Sequence, residues 1–60
     1  MRKQINMVFD YETKGAVRYT EVDAAGDMVD RYAGVVGTLY IRKSALSGDI
    51  PKKLTVTIEG

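Results

Sequence analysis

Arg18, Tyr40 and Arg42 are the residues whose types and spacing first suggest chemistry in this chain. Each falls on the polar phase of an alternating segment, so planar and cationic side chains would share one face of a sheet. Lys14, Lys43, Lys52 and Lys53 stand at nearby strand ends and loops. Sheets that hold single-stranded nucleic acid use this mixture, with aromatic rings stacking on bases and Lys or Arg following the backbone. On that reading Tyr40 stacks on a base while Arg18, Arg42, Lys43, Lys52 and Lys53 contact phosphates. Four acidic residues expected on the same face or its edges, Asp10, Glu12, Glu21 and Glu59, work against it. The competing reading is an ordinary mixed-charge face that keeps a small protein in solution.

Other constellations are weaker. Histidine and cysteine are both absent, which removes the usual nucleophile and base pairs together with thiolate and imidazole metal sites. Asp10 and Glu12 are expected on one side of a strand, the minimum for a carboxylate pair, but two solvated charges beside a turn are the plainer account and the one adopted. The same holds for Glu21 with Asp23. Asp23, Asp27 and Asp30 lack the loop pattern and the terminal glutamate of a calcium-binding EF-hand. Gly34-Val35-Val36-Gly37 lacks the Lys-Ser/Thr that completes a phosphate loop, and Arg42-Lys43-Ser44 reads as a solvated strand end. No catalytic residue, cofactor or metal site is assigned, and the chain is read as non-enzymatic.

The elements that must position these side chains are strands. Ile5, Met7, Phe9 and Tyr11 alternate with Asn6, Val8, Asp10 and Glu12. Thr13-Lys14-Gly15 then offers a turn with a glycine able to take positive φ, and Val17 and Tyr19 resume the apolar phase, which completes a first hairpin. Val35, Leu39 and Ile41 oppose Thr38, Tyr40 and Arg42, with Gly37 a bulge or a close-approach position. Lys43 to Gly48 reads as one helical turn ended by glycine, followed by the breaker Asp49-Ile50-Pro51. Leu54, Val56 and Ile58 alternate with Thr55, Thr57 and Glu59, and this strand is expected to pair antiparallel with the one before it.

The middle supports two readings. Ala25, Met28, Val29, Tyr32 and Ala33 have helical spacing, with Asp23 as N-cap, an Asp27–Arg31 pair and Gly34 beyond the C-terminus. Gly26 disfavours a helix, and Ala25-Gly26-Asp27 is equally good turn chemistry for a hairpin or loop.

Together the strands place Ile5, Met7, Phe9, Val17, Tyr19, Leu39, Ile41, Leu54, Val56 and Ile58 on one face, too large an apolar surface to leave uncovered. Sixty residues bury only about 60% of the surface of the unfolded chain, so self-association is the expected remedy where disulfides and thiolate or imidazole metals are excluded. The fold expected is a small four-stranded antiparallel sheet of two hairpins over residues 1–60, a single domain whose apolar face is covered by homodimerisation. A small SH3-like barrel, or a ββαββ arrangement with a short helix near 24–33, are the alternatives.

Net charge is +1, far from the balance that by itself signals nucleic acid. Residues 1–30 carry four Lys/Arg against six Asp/Glu, whereas residues 31–60 carry five against two, so the basic excess lies in the second half. No apolar stretch is long enough to span a bilayer and no leader pattern opens the sequence, so a cytoplasmic protein with no membrane association is expected. The functional expectation is a binding module for single-stranded nucleic acid. The alternative is a protein–protein interaction module, an inhibitor, antitoxin-like partner or accessory subunit using strand edges and Tyr11, Tyr19, Tyr32 and Tyr40.

Overall fold

The structure, a computed structural model, describes residues 1–30, 33–46 and 48–60. It is mainly β, with strands β1 (Arg2–Glu12), β2 (Ala16–Val22), β3 (Thr38–Arg42) and β4 (Lys53–Glu59), and a single 3-10 turn at Lys43–Ala45 among the described residues. All neighbours are antiparallel, in the order β3-β2-β1-β4. The sheet curls into a half-barrel with β3 and β4 as its two edges. No helix of the described residues is long and apolar enough to cross a membrane.

Only the first of the two expected hairpins forms. β4 does not pair with β3; it crosses to the far side of the sheet and runs along β1 from Arg2↔Glu59 to Val8↔Lys53. β1 is the longest strand, and its Ile5 and Met7 become fully flanked this way, opposite Val56 and Leu54. The connection from Lys43 to Lys52 is also too long for a tight β3–β4 hairpin, and its 3-10 turn and the positive φ of Gly48 carry it across instead.

Alternation dictates the inner face. Ile5, Met7, Val17 and Tyr19 are buried there, with Val36, Leu39, Ile41, Leu46, Leu54, Val56 and Ile58 packed around them. Val36 and Leu46 come from the two long connections, so the chain itself covers part of the apolar face. Tyr19 is fully buried, meets Phe9 edge-on at 6.4 Å, and donates its hydroxyl to the Pro51 carbonyl at 2.8 Å. A buried tyrosine needs such an acceptor.

Two turns differ from their sequence signals. In the first hairpin Thr13 does the work assigned to Gly15: its hydroxyl accepts from the Ala16 amide and donates to the Ala16 carbonyl, each at 3.1 Å. Gly15 does not adopt positive φ; Gly26, Gly37 and Gly48 do. The middle segment is a turn and not a helix across its described residues. Asp23 accepts from the amides of Ala25 and Asp27 at 2.9 and 3.0 Å, Gly26 supplies φ +88°, and a lone bridge joins Val22 to Met28. Asp23 therefore caps an Asx-type turn, as aspartate does where its side chain competes with helix hydrogen bonding. The expected Asp27–Arg31 pair and the Tyr32 position lie outside the described residues, as does Ser47.

Candidate functional site

The outer face is set by register and by one bulge. From Asn6↔Val22 to Phe9↔Tyr19 the β1–β2 ladder is regular; it then jumps to Tyr11↔Arg18. Asp10 is the extra residue. A β-bulge of this kind reverses the phase of everything after it. Tyr11, expected with Ile5, Met7 and Phe9 inside, is instead carried to the outer face beside Arg18, which is itself opposite Tyr40.

Three side chains from three adjacent strands thus meet. The Tyr11 and Tyr40 hydroxyls are 3.3 Å apart, Arg18 Nη1 donates to the Tyr11 hydroxyl at 3.4 Å, and the guanidinium carbon lies 5.3 Å from the Tyr11 ring centre. That separation is within cation–π range. Both rings remain accessible, Tyr11 at 43% and Tyr40 at 54%. The hydroxyl contact separates the two phenols electrically. The hydrogen bond with Tyr40, helped by that from Arg18, lowers the pKa of Tyr11, while the same contact raises that of Tyr40. Arg18 is raised in turn, chiefly by its hydrogen bond to Tyr11.

The bulged Asp10 anchors the cluster from below. Its Oδ2 accepts from the Thr20 hydroxyl at 3.0 Å and lies 3.3 Å from Arg18 Nε, an ion pair that is not aligned as a hydrogen bond. Glu12, re-phased with Tyr11, sits opposite Val17, and its Oε2 is 2.8 Å from Lys43 Nζ. Asp10 and Glu12 consequently do not form a carboxylate pair on one face, because the bulge sends them apart and each has its own cation.

Of the residues singled out in the sequence, Arg18, Tyr40 and Arg42 come together, Arg42 being next along β3 and exposed. Lys43 sits at the end of this group, held by Glu12 and by its backbone amide, which donates to the Gly15 carbonyl at 3.0 Å. Lys53 is on the same outer face, opposite Val8 and across the width of the sheet from β3. Lys52 is not on this face: it lines a shallow depression with Phe9, Glu12 and Ile50. A larger open cleft of about 300 Å³ lies away from the tyrosines, against Asn6, Val22, Asp23 and Lys53.

Glu21 is the polar residue whose setting differs most from its expected place. It belongs to the inner phase of β2, opposite Met7, and is only 7% exposed. Its carboxylate accepts from three successive amides, Val35, Val36 and Gly37, at 2.8–3.1 Å. Bonds from Gly37 and Val36 hold its pKa below the ordinary carboxylate range against the opposing effect of burial. A Cβ on Gly34 would lie 2.7 Å from Glu21 Oε1, which is why glycine stands there. The signal for this was in the phase, since Glu21 follows Val17 and Tyr19 at intervals of two.

Among the described residues no group of three acidic side chains is placed to hold a metal ion. No family model matches the chain, and neither a curated protein nor a solved structure is significantly similar to it.

Proposed function

We propose that the protein is a small non-enzymatic binding module whose outer face takes up single-stranded nucleic acid. The observation that carries this reading is the bulge-driven pairing of Tyr11 with Tyr40 around Arg18, which doubles the outward aromatic surface beyond the one tyrosine that alternation supplies. Two accessible rings give bases something to stack on whatever their identity, and the exposed cations Arg42 and Lys53 lie on the same face for the phosphates. Three of the four acidic residues expected to repel a nucleic acid have other engagements, Asp10 with Arg18, Glu12 with Lys43, and Glu21 inside, while Glu59 stays exposed at the end of β4, the strand at the opposite edge of the sheet from β3.

The test is binding of labelled single-stranded and double-stranded oligonucleotides at two salt concentrations. Salt-sensitive binding that prefers single strands is expected. Tyr11→Ala and Tyr40→Ala should each weaken it by about 1–3 kcal/mol, the usual worth of a base–aromatic stack. Arg42→Ala should weaken it and flatten the salt dependence, because fewer counterions are released. No binding at low salt overturns the reading. The alternative is then a protein partner, favoured by the exposed apolar side chains of Met28 and Val35 on the long β2–β3 connection. That alternative predicts co-purification that survives high salt and is lost in Met28→Asp.

A further inference from the structure

The free edge of β4 is built to pair with itself. In the β1–β4 ladder, the Phe9 amide donates to the Lys52 carbonyl and the Gly60 amide to the Met1 carbonyl. Antiparallel ladders alternate strictly, so residues 52, 54, 56, 58 and 60 turn their backbone groups toward β1, and Lys53, Thr55, Thr57 and Glu59 turn theirs to the open edge. Those groups form an unbroken row. β4 is seven residues long, with no proline and no register shift within it, two of the usual devices that protect an edge.

We infer that two copies of the chain join antiparallel along β4, around a two-fold axis at Val56, and so continue the sheet from one copy into the next. The sequence of the strand is self-complementary about that residue. Lys53 of one copy falls opposite Glu59 of the other, Thr55 opposite Thr57, Leu54 opposite Ile58, and Val56 opposite itself. On the outer face the charges are opposite at both ends and threonines pair between them. On the inner face the half-buried Leu54, Val56 and Ile58 meet only apolar partners. Backbone and side chains agree on one register: Lys53/Glu59 and Thr55/Thr57 are hydrogen-bonded pairs, and Val56/Val56 is the close, non-hydrogen-bonded pair at the axis. Shifting the two-fold to Thr55 or Thr57 leaves both charges without opposite partners. The other edge offers no equivalent, since β3 has five residues and its only charge, Arg42, would meet Thr38 in a pairing centred on Tyr40.

Such pairing is isologous, so it closes at two copies and leaves the β3 edges outermost. The tyrosine clusters of both copies then lie on one continuous outer face. The inference stands on the edge of β4 and is independent of the ligand that those clusters take.

Sedimentation across micromolar concentrations tests it, with the melting curve followed in parallel. A wild-type dimer is expected. Lys53→Glu and Glu59→Lys should each raise the dimer dissociation constant about tenfold, since like charges then face each other at both ends of the seam, and the double swap should restore it. Thr57→Pro removes an amide that faces only the partner, so it should give a monomer that still melts cooperatively. Val56→Cys should form a disulfide-linked dimer on mild oxidation, because facing residues of a non-hydrogen-bonded pair lie about 4.5 Å apart at Cα and the chain has no other cysteine. Thr55→Cys should cross-link far less. A wild-type chain that stays monomeric to about 100 µM, or a dimer indifferent to the charge swap and to Thr57→Pro, overturns the inference.

Discussion

β2 presents two polar centres, Arg18 on its outer face and Glu21 on its inner one, and they are held in opposite ways. Glu21 is buried and bound by main-chain amides of a single loop, donors that cannot rotate away. Arg18 is partly open and bound by the side chains of Tyr11 and Asp10, each able to swing toward solvent or another molecule. A charge fixed by backbone inside a fold fastens the fold, because its partners have no other use. A charge held by exposed side chains can exchange those partners for a ligand at little cost. The same strand therefore carries the clasp of the scaffold on one side and the candidate site on the other.

The strongest way to break the contrast is Glu21→Gln. Three amides would lose a charged acceptor inside the protein, and about 2–3 kcal/mol should disappear from a total stability of roughly 3–9 kcal/mol for a chain of this length. Chemical denaturation measures it. Because the folded pKa of Glu21 is lowered, its contribution is complete above the unfolded carboxylate pKa of about 4.3 and is lost as pH falls through the folded value. Melting followed from pH 7 downward should show an acid limb in the wild type that is much reduced in Glu21→Gln. Gly34→Ala comes next. The added methyl group would stand against Glu21 Oε1 and push the carboxylate from its amides, at about 1–3 kcal/mol, readable in the same melts.

The outer centre should respond least. Tyr11→Phe removes the hydroxyl that Tyr40 and Arg18 share but keeps the ring, so stability should fall by no more than about 1 kcal/mol. Oligonucleotide binding, if it rests on stacking, should survive. A loss in Tyr11→Phe as large as that in Glu21→Gln would mean that the outer cluster also fastens the fold, and the contrast would fail.

Much of the scaffold was legible because alternation is a local property. The phases of Ile5 to Phe9, Val17 to Tyr19, Leu39 to Ile41 and Leu54 to Ile58 all hold in the structure. Strand order was not legible, since Leu54, Val56 and Ile58 match the inner face of β1 as well as they match that of β3. Of the candidate site, Arg18, Tyr40 and Arg42 could be grouped from their phase alone. Tyr11 could not join them, because a bulge at Asp10 exists only through the pairing of β1 with β2 and has no glycine to announce it. Lys52 was misplaced for a different reason: it stands one residue before β4, on the opposite phase from Lys53.

Asp10 also shows how a face can depend on counting. A substitution at Asp10 alters one side chain and leaves the phase of its neighbours to the ladder. Deleting it would make the ladder regular yet keep Tyr11 opposite Arg18 and Glu12 opposite Val17, because the bulge residue is the one without a partner on β2; only the carboxylate that meets Arg18 and Thr20 would go. Removing a paired residue of β1 would instead reverse one of its flanks, so position 10 is a place where this strand can change length without turning a face inside out.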